Sequence, residues 1–475
     1  MALKHKAIGA ALLSFSNVFR LLIQFAMLPV LARLLDTVQY GVVAIAMPFV
    51  LFAQIFADGG VGQSLVKESP DRRVVWSTSF WLILAVGSTA ALILICISPL
   101  IAAEYNQPEL RPIVATLASV CVAQSLGVVP SAMLQRAERF STIAVSNTLS
   151  TAIGAGAALL LAFDGYGAWA LVGQQIVAAA TGLTIAWTTS GFVPLRRFDF
   201  AGIHHHLGFS RDVIAFNVIN FFARSLDPLV IGKVFGAATV GSYTIAYQLM
   251  RLPSVIVTGP ISSIFYTHVV TRAANNDQIK TGLLFASRLI SILVFPTMGI
   301  VAVAHAPIFR TVLSQKWADS GVLFMLFAAV ASIQAVTGLN GGVMMATGRT
   351  QVQIRFTVEF TIIWLCCLFI AVSISVFAVP VFYTISWFLY FPRFSRMFLS
   401  GIGCSRREYL ATMLIPLLVT IAGVALYLFL DATVAPDDLM RLLGAFFLVP
   451  ALIVLGGLLQ LKRLRRDLSG FRHFQ

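Results

Sequence analysis

About fourteen apolar stretches, each long enough to cross a bilayer as a helix, follow one another from Ile8 to Leu461 with only short polar connections between them. A hydrocarbon core about 30 Å thick needs roughly 20 consecutive apolar residues in a helix. Lipid admits no spanning backbone except a helix or a closed barrel. Barrel strands alternate in polarity over about 10 residues, whereas these runs are longer and apolar throughout. The chain therefore reads as an all-α polytopic membrane protein with no length left for a soluble domain. Its 59% hydrophobic and 11% charged residues lie outside the soluble range and agree with that reading.

The spans fall at about 8–34, 40–66, 74–101, 112–135, 141–163, 167–189, 212–235, 240–268, 282–306, 321–345, 354–376, 378–400, 410–430 and 440–461. The net charge of +14 could suggest a nucleic-acid partner, but its distribution argues against one. With the N-terminus inside, the two tails and the even-numbered connections carry twenty-three Lys and Arg residues, from Lys4 and Lys6 through Arg272 to Arg472. The opposite side carries six: Arg33, Arg111, Lys233, Arg310, Lys316 and Arg441. Short loops with this asymmetry obey the positive-inside rule. The excess sets topology, with both termini cytoplasmic, and holds the protein against anionic headgroups. The first apolar run is too long for a cleaved signal, contains Arg20 and leads directly into another span, so it reads as an uncleaved helix. Five cysteines, four of them within spans, give no disulfide or metal framework. The triplet His204–His206 reads as solvated interfacial histidines, because consecutive residues on a helix point in different directions.

Sliding the chain by 200 residues lays the first two helices over the seventh and eighth. Asn17, Val18, Val30, Gly41, Ile45 and Ala46 fall on Asn217, Val218, Val230, Gly241, Ile245 and Ala246. The pairs start six helices apart, so the repeats are parallel and related by an axis along the membrane normal. The expected organisation is a six-helix lobe over 1–200, a second over 201–403, and a helix pair with a basic cytoplasmic tail over 404–475. The basic segment Phe192–Arg211 would link the lobes.

Asn17, Arg20 and Gln24 share one face of the first helix, and Asn217, Asn220, Arg224 and Asp227 share one face of the seventh. Under the 200-residue offset Asn17, Arg20 and Gln24 fall on Asn217, Asn220 and Arg224. Such stripes cannot face lipid cheaply: an arginine at mid-membrane costs roughly 2.5–3.5 kcal/mol on insertion scales. Arg20, Arg224 and Arg251 lie too deep to snorkel fully, so they are expected to border a solvated interior. A guanidinium-lined chamber suits an anionic substrate, because the fork matches phosphate oxygens and stays charged. Asp58 and Asp227 are the carboxylates at depth, as coupling or structural acids. Two alternatives stay open: Arg224 and Asp227 as a self-satisfying ion pair, and Asp58 with Gly59 and Gly60 as a helix break. Arg288 and Glu359, nearer the cytoplasmic ends, are weaker candidates that can snorkel. No catalytic constellation, nucleotide-binding loop or metal spacing is present in the sequence.

The stretch LARLLDTVQYGVVAIAMPFV from Leu31 and ADGGVGQSLV from Ala57 resembles the opening of the polysaccharide transporters of the multidrug/oligosaccharidyl-lipid/polysaccharide exporter (MOP) superfamily. Asp227 to Pro253, then Lys316-Trp317 through the ATGR of Ala346–Arg349, are similar to later family signatures, so the resemblance runs in order over 1–400. It implies two six-helix lobes forming a V around a cationic cavity, with a further C-terminal helix pair. It implies a non-enzymatic flippase of the bacterial cytoplasmic membrane, moving undecaprenyl-diphosphate-linked oligosaccharides for exopolysaccharide, O-antigen or capsule assembly. The diphosphate would sit against the arginines. An H+ or Na+ gradient would drive alternating access with no cofactor, and polymerase and other glycan-assembly proteins would be partners. Two rivals are a multidrug or metabolite antiporter of the related MATE branch and a membrane-embedded polysaccharide polymerase. The antiporter should have a more apolar or acidic cavity. The polymerase should have a large extracytoplasmic loop, whereas Ala102–Arg111 and Ala306–Ser320 are short.

Overall fold

The computed structural model describes residues 2–69, 71–271, 275–433 and 437–472. Arg272, one of the basic loop residues counted above, lies outside them. Among the described residues the regular structure is entirely helical. In chain order it comprises α1 (Ala2–Leu34), α2 (Thr37–Asp58), α3 (Val61–Leu65), α4 (Arg73–Glu104), α5 (Leu110–Arg136), α6 (Phe140–Phe163), α7 (Ala168–Ser190) and α8 (Phe200–Phe235). It continues with α9 (Ala237–Met250), α10 (Gly259–Thr271), α11 (Asn276–Val303), α12 (His305–Ile308), α13 (Ala318–Thr337), α14 (Leu339–Ala346), α15 (Thr350–Val372) and α16 (Ala378–Leu399), and ends with α17 (Arg406–Thr433), α18 (Asp438–Leu459) and α19 (Leu461–Arg472).

Twelve of the described helical segments are long and apolar enough to cross a membrane, or thirteen if the bent α8 counts as one span. The fourteen expected spans are therefore not all recovered by length and composition. The exception is α16, which forms as a 22-residue helix. Its Tyr, Trp, Ser and Pro residues, with Arg393 and Arg396, make it more polar than its neighbours. The α8 helix begins at Phe200, twelve residues before the expected 212, because Ile203, His206 and Ser210 recur at helical spacing and are buried. A scan for unbroken apolar runs stops at such polar residues. The helix bends by 43° between Phe222 and Arg224. Pro228 lies four residues after Arg224, where its ring opposes the Arg224 carbonyl and removes one hydrogen bond.

Contacts divide the chain into two compact units, Met1–Gly241 and Ser242–Gln475. In the first, α2 packs on α4, α5 and α8, α1 packs on α6, and α6 on α7. Trp76, Phe80, Leu65, Phe192 and Ile203 form one buried apolar cluster. The first unit thus includes α8, which packs on α2, α3 and α4. In the second unit α11 is the hub, touching α13, α17, α18 and α19. Its start is fixed by a reciprocal cap, in which Gln278 N–H donates to Asn275 Oδ1 at 3.0 Å and Asn275 N–H donates to Gln278 Oε1 at 2.7 Å.

The 200-residue repeat has a physical counterpart. Helices α2 and α9 start at 37 and 237, and Gly41 and Gly241 are both buried near those starts. A Cβ on Gly41 would lie 2.5 Å from the Ala237 carbonyl carbon, and one on Gly241 would lie 3.0 Å from the Thr37 carbonyl carbon. Each glycine meets the offset copy of the other's partner. Glycine is required at both positions because backbone meets backbone there.

Candidate functional site

The first unit carries an open polar cavity of about 800 Å³. Arg20 from α1, Asp58 from the end of α2 and Asn217 from α8 all line it. A belt of amides completes the wall: Gln54, Gln63, Gln124, Gln135, Asn147 and Gln175. The α1 helix is aimed by Ser16, whose hydroxyl donates to the Ala144 carbonyl at 3.0 Å and accepts from Thr148 Oγ1 at 3.0 Å. One turn further on, Arg20 therefore faces the cavity. Its Nε is buried and makes no hydrogen bond among the described residues. A buried donor without a partner costs roughly 1–3 kcal/mol.

Asp58 stands at a helix break. Gly59 and Gly60 adopt left-handed φ values of 56° and 67° and break the helix. A Cβ on Gly60 would lie 2.5 Å from Val213 Cγ1, and the Ser210 hydroxyl donates to the Gly59 carbonyl. The break terminates α2 so that Asp58, one turn beyond Gln54, opens onto the cavity that Arg20 borders.

The remaining sequence candidates separate. Asn17 and Gln24 are exposed on α1 and are not in the wall. Asn220 donates to the Phe216 carbonyl of its own helix at 3.0 Å. Arg224 is exposed, Asp227 is buried, and no ion pair joins them among the described residues. Arg251 belongs to the second unit, exposed at the break between α9 and a π-helical turn at Ser254–Thr258. Arg288 does not snorkel. It is 4% exposed, donating to Asp467 Oδ2 at 3.2 Å and to Gln460 Oε1 at 2.8 Å, which ties the C-terminal α19 to α11. Glu359 accepts two bonds from Arg393 at 2.7 Å, one from Tyr390 at 2.7 Å and one from Arg355 at 2.8 Å. Both groups are occupied in bracing helices.

His206 corrects the reading of the triplet. His204 and His205 are exposed, but His206 is buried. Its Nδ1 lies 2.6 Å from Ser64 Oγ and its Nε2 lies 3.0 Å from Glu68 Oε2. Arg72 reaches both Glu68 at 3.3 Å and Asp199 at 3.8 Å. The start of α8 is thereby pinned to α3 and the loop after it. Burial opposes ionisation of Glu68, but the Ser69 N–H, His206 and Arg72 outweigh it and hold the carboxyl below its ordinary range.

Comparison with known proteins now bears on these observations. The profile of the polysaccharide biosynthesis protein family matches residues 30–322, well over half of the chain. The chain belongs to this family. Among characterised relatives it is 24% identical over 368 residues to the teichuronic acid biosynthesis protein TuaB of Bacillus subtilis, covering 77% of this chain and 76% of that one. It is 22% identical over 428 residues to the lipopolysaccharide biosynthesis protein WzxC of Escherichia coli, covering 88% and 86%. Among solved structures its fold is similar to the lipid II flippase MurJ in an inward closed conformation, with a TM-score of 0.75 at 13% identity, covering 96% of this chain and all of that one. It is also similar to an inward-facing multidrug resistance MATE family transporter of the MOP superfamily, with a TM-score of 0.58 at 14% identity, covering 88% of this chain and all of that one. The family member described here thus has the MOP-type fold. The charged cavity residues were legible from the sequence. The amide belt was not, although Gln54 with Asp58 and Ser131 with Gln135 stand four apart.

Proposed function

We propose that this protein is a flippase that carries polyprenyl-diphosphate-linked oligosaccharide units across the bacterial cytoplasmic membrane for exopolysaccharide assembly. The observation that carries the reading is an amide-lined cavity of about 800 Å³ bordered by the Arg20 side chain. A guanidinium supplies the counter-charge for a diphosphate. Side-chain amides both donate and accept, which is what sugar hydroxyls require. Drug antiport would favour a more apolar or acidic cavity, whereas here one acid, Asp58, stands among Arg20 and the belt of side-chain amides. Family membership and relatives named for teichuronic acid and lipopolysaccharide biosynthesis support a lipid-linked glycan as cargo. The fold shared with a lipid II flippase supports translocation rather than polymerisation.

In this reading Asn220 and Arg224 in the first unit and Arg251 in the second serve as further polar contacts for the substrate, and a proton or sodium gradient supplies the energy. Asp58 is the acid placed to couple to it, because it opens onto the cavity that Arg20 borders. Both termini lie in the cytoplasm, and a polymerase on the far side consumes the flipped unit. Lipid extracts of a deletion strain test the function: a complete, unpolymerised lipid-linked repeat should accumulate. Loss of dye resistance with no lipid-linked glycan accumulating would instead favour drug antiport.

A further inference from the structure

Two turns of this chain share one geometry. Ala137–Glu138–Arg139 leads into α6, and Thr347–Gly348–Arg349 leads into α15. The first amide of each donates four residues back at 2.9 Å, Ala137 to Met133 and Thr347 to Val343. The middle residue is left-handed, with φ 54° at Glu138 and 69° at Gly348. The arginine amide donates five residues back, Arg139 to Leu134 at 3.0 Å and Arg349 to Met344 at 2.7 Å. Each guanidinium then caps the end of the next helix but one: Arg139 reaches the Thr189 carbonyl at 2.9 Å, and Arg349 reaches the Met397 carbonyl at 3.1 Å. An offset of 210 relates the two regions. It carries the starts of α6 and α7, at 140 and 168, onto those of α15 and α16, at 350 and 378, and Ser190-Gly191 onto Ser400-Gly401.

Each turn also lines a cavity, and the two cavities have diverged. In the first unit the cavity, about 710 Å³, holds Arg136, Arg139 and the acid Glu138. Its guanidiniums are engaged, Arg136 donating to the Val66 carbonyl at 2.7 Å. In the second unit the cavity is about 430 Å³ and no acid lines it; the offset position of Glu138 is Gly348, outside the wall. Arg355 and Arg396 stand where the offset copy has Val145 and Ala186, joined by Gln351 and Ser400. The acid nearest by bonding, Glu359, takes the Arg355 Nε–H at 2.8 Å and is otherwise claimed by Arg393 and Tyr390. Arg396 makes no ion pair among the described residues. The positive-inside rule explains basic residues at helix ends. It does not explain three guanidiniums converging on one hollow that no acid lines, where only Arg355 has an acidic partner, Glu359 behind it.

We propose that this cavity binds a phosphate-bearing group, a phosphate monoester or diphosphate, with Arg355 and Arg396 as its ligands and Arg349 as a fixed wall. The site shares no residue with the Arg20 cavity and does not depend on the flippase reading. Forked guanidiniums match phosphate oxygens, and Gln351 and Ser400 add uncharged donors. The group could arrive on an isoprenoid diphosphate lipid or as a soluble anion.

The test uses the full chain in detergent, in an Arg20→Gln background that removes the other anion position. It is titrated separately with inorganic pyrophosphate and with farnesyl diphosphate, with binding read by calorimetry. Binding should be saturable, and Arg355→Gln with Arg396→Gln should weaken it by about tenfold or more, the loss expected for charged hydrogen bonds. Tighter binding of farnesyl diphosphate would support the site with a lipid headgroup as its source. Equal binding of both probes would support it with a soluble source. Unchanged affinity for both probes in the double variant, or no saturable binding at all, would overturn it. Arg396→Gln alone breaks no hydrogen bond described here and keeps the test readable if the double variant does not fold.

Discussion

Arg20 concentrates the chemistry of the first unit in one group: a cation with a buried, unsatisfied N–H at the wall of a polar cavity. Replacing it by Ala should abolish polymer export while leaving membrane insertion and expression intact. Lys, a point charge without the fork, should restore only part. Normal export by Arg20→Ala, measured as secreted polymer per cell, would remove the arginine from the mechanism. Glu68 makes a different prediction. Its carboxyl is held below the ordinary range, so its contribution to stability is fully present above the unfolded value of about 4.3 and is lost as pH falls through the depressed folded value. Glu68→Gln should therefore melt earlier than wild type at pH 7, by about 1–2 kcal/mol for the charge-assisted bonds lost. The gap should close progressively below about pH 4, where wild type loses the same contribution. Thermal melts in detergent across that range decide it, and a gap that persists under acid would contradict the pairing. Residues of this kind differ in how visible they are before folding. Arg20 and Asp58 stand out because charge inside an apolar run is expensive. His206 did not, because its partners Ser64 and Glu68 lie some 140 residues away and only the early start of α8 brings them together.

The elements repeat more faithfully than the residues do. A shift of 200 aligns the first helix pair of each half, and the same shift relates Gly41 and Ala237 to Gly241 and Thr37 where backbone touches backbone. Beyond that pair the alignment fades in the sequence but not in the structure, since α6 and α7 recur as α15 and α16 at an offset of 210. Ten residues gained in the intervening connections suffice to hide it from any gapless comparison. What persists is capping geometry, Arg139 and Arg349 on the ends of α7 and α16, which selection on apolar composition cannot produce. The glycine crossing yields a quantitative test. Gly41→Ala and Gly241→Ala should each cost about 1–3 kcal/mol, as overpacking does. Because both side chains would wedge open one crossing, the double variant should cost clearly less than the sum of the singles. Strict additivity of melting shifts in that cycle would mean that the two glycines serve separate contacts.

For the whole molecule, topology turns on whether α16 crosses the membrane, since a chain with one span fewer would put its termini on opposite sides. Composition leaves α16 out, because its aromatic, proline and arginine residues make it less apolar than the other long helices. Geometry argues for counting it. Arg349, just before α15, bonds to the Met397 carbonyl near the end of α16, so the two helices run antiparallel, with the end of one beside the start of the other. Glu359 and Arg393 cross-brace the same pair. At about 1.5 Å per residue, 22 residues cover roughly 33 Å, a full hydrocarbon thickness. If α15 crosses, α16 must return. The charges agree, because only that return places Arg406, Arg407 and the basic face of α19 on the side that already holds Arg349 and Arg355. With the N-terminus inside, as the loop charges lead one to expect, an even number of crossings would put both ends of the chain in the cytoplasm. A green fluorescent protein fused after Gln475 should be fluorescent, and alkaline phosphatase fused there should be inactive. The same pair fused within 373–377, between α15 and α16, should give the reverse. An active phosphatase at the C-terminus would mean that α16 lies along the surface, and the arrangement of α17 and α18 would have to be inverted with it.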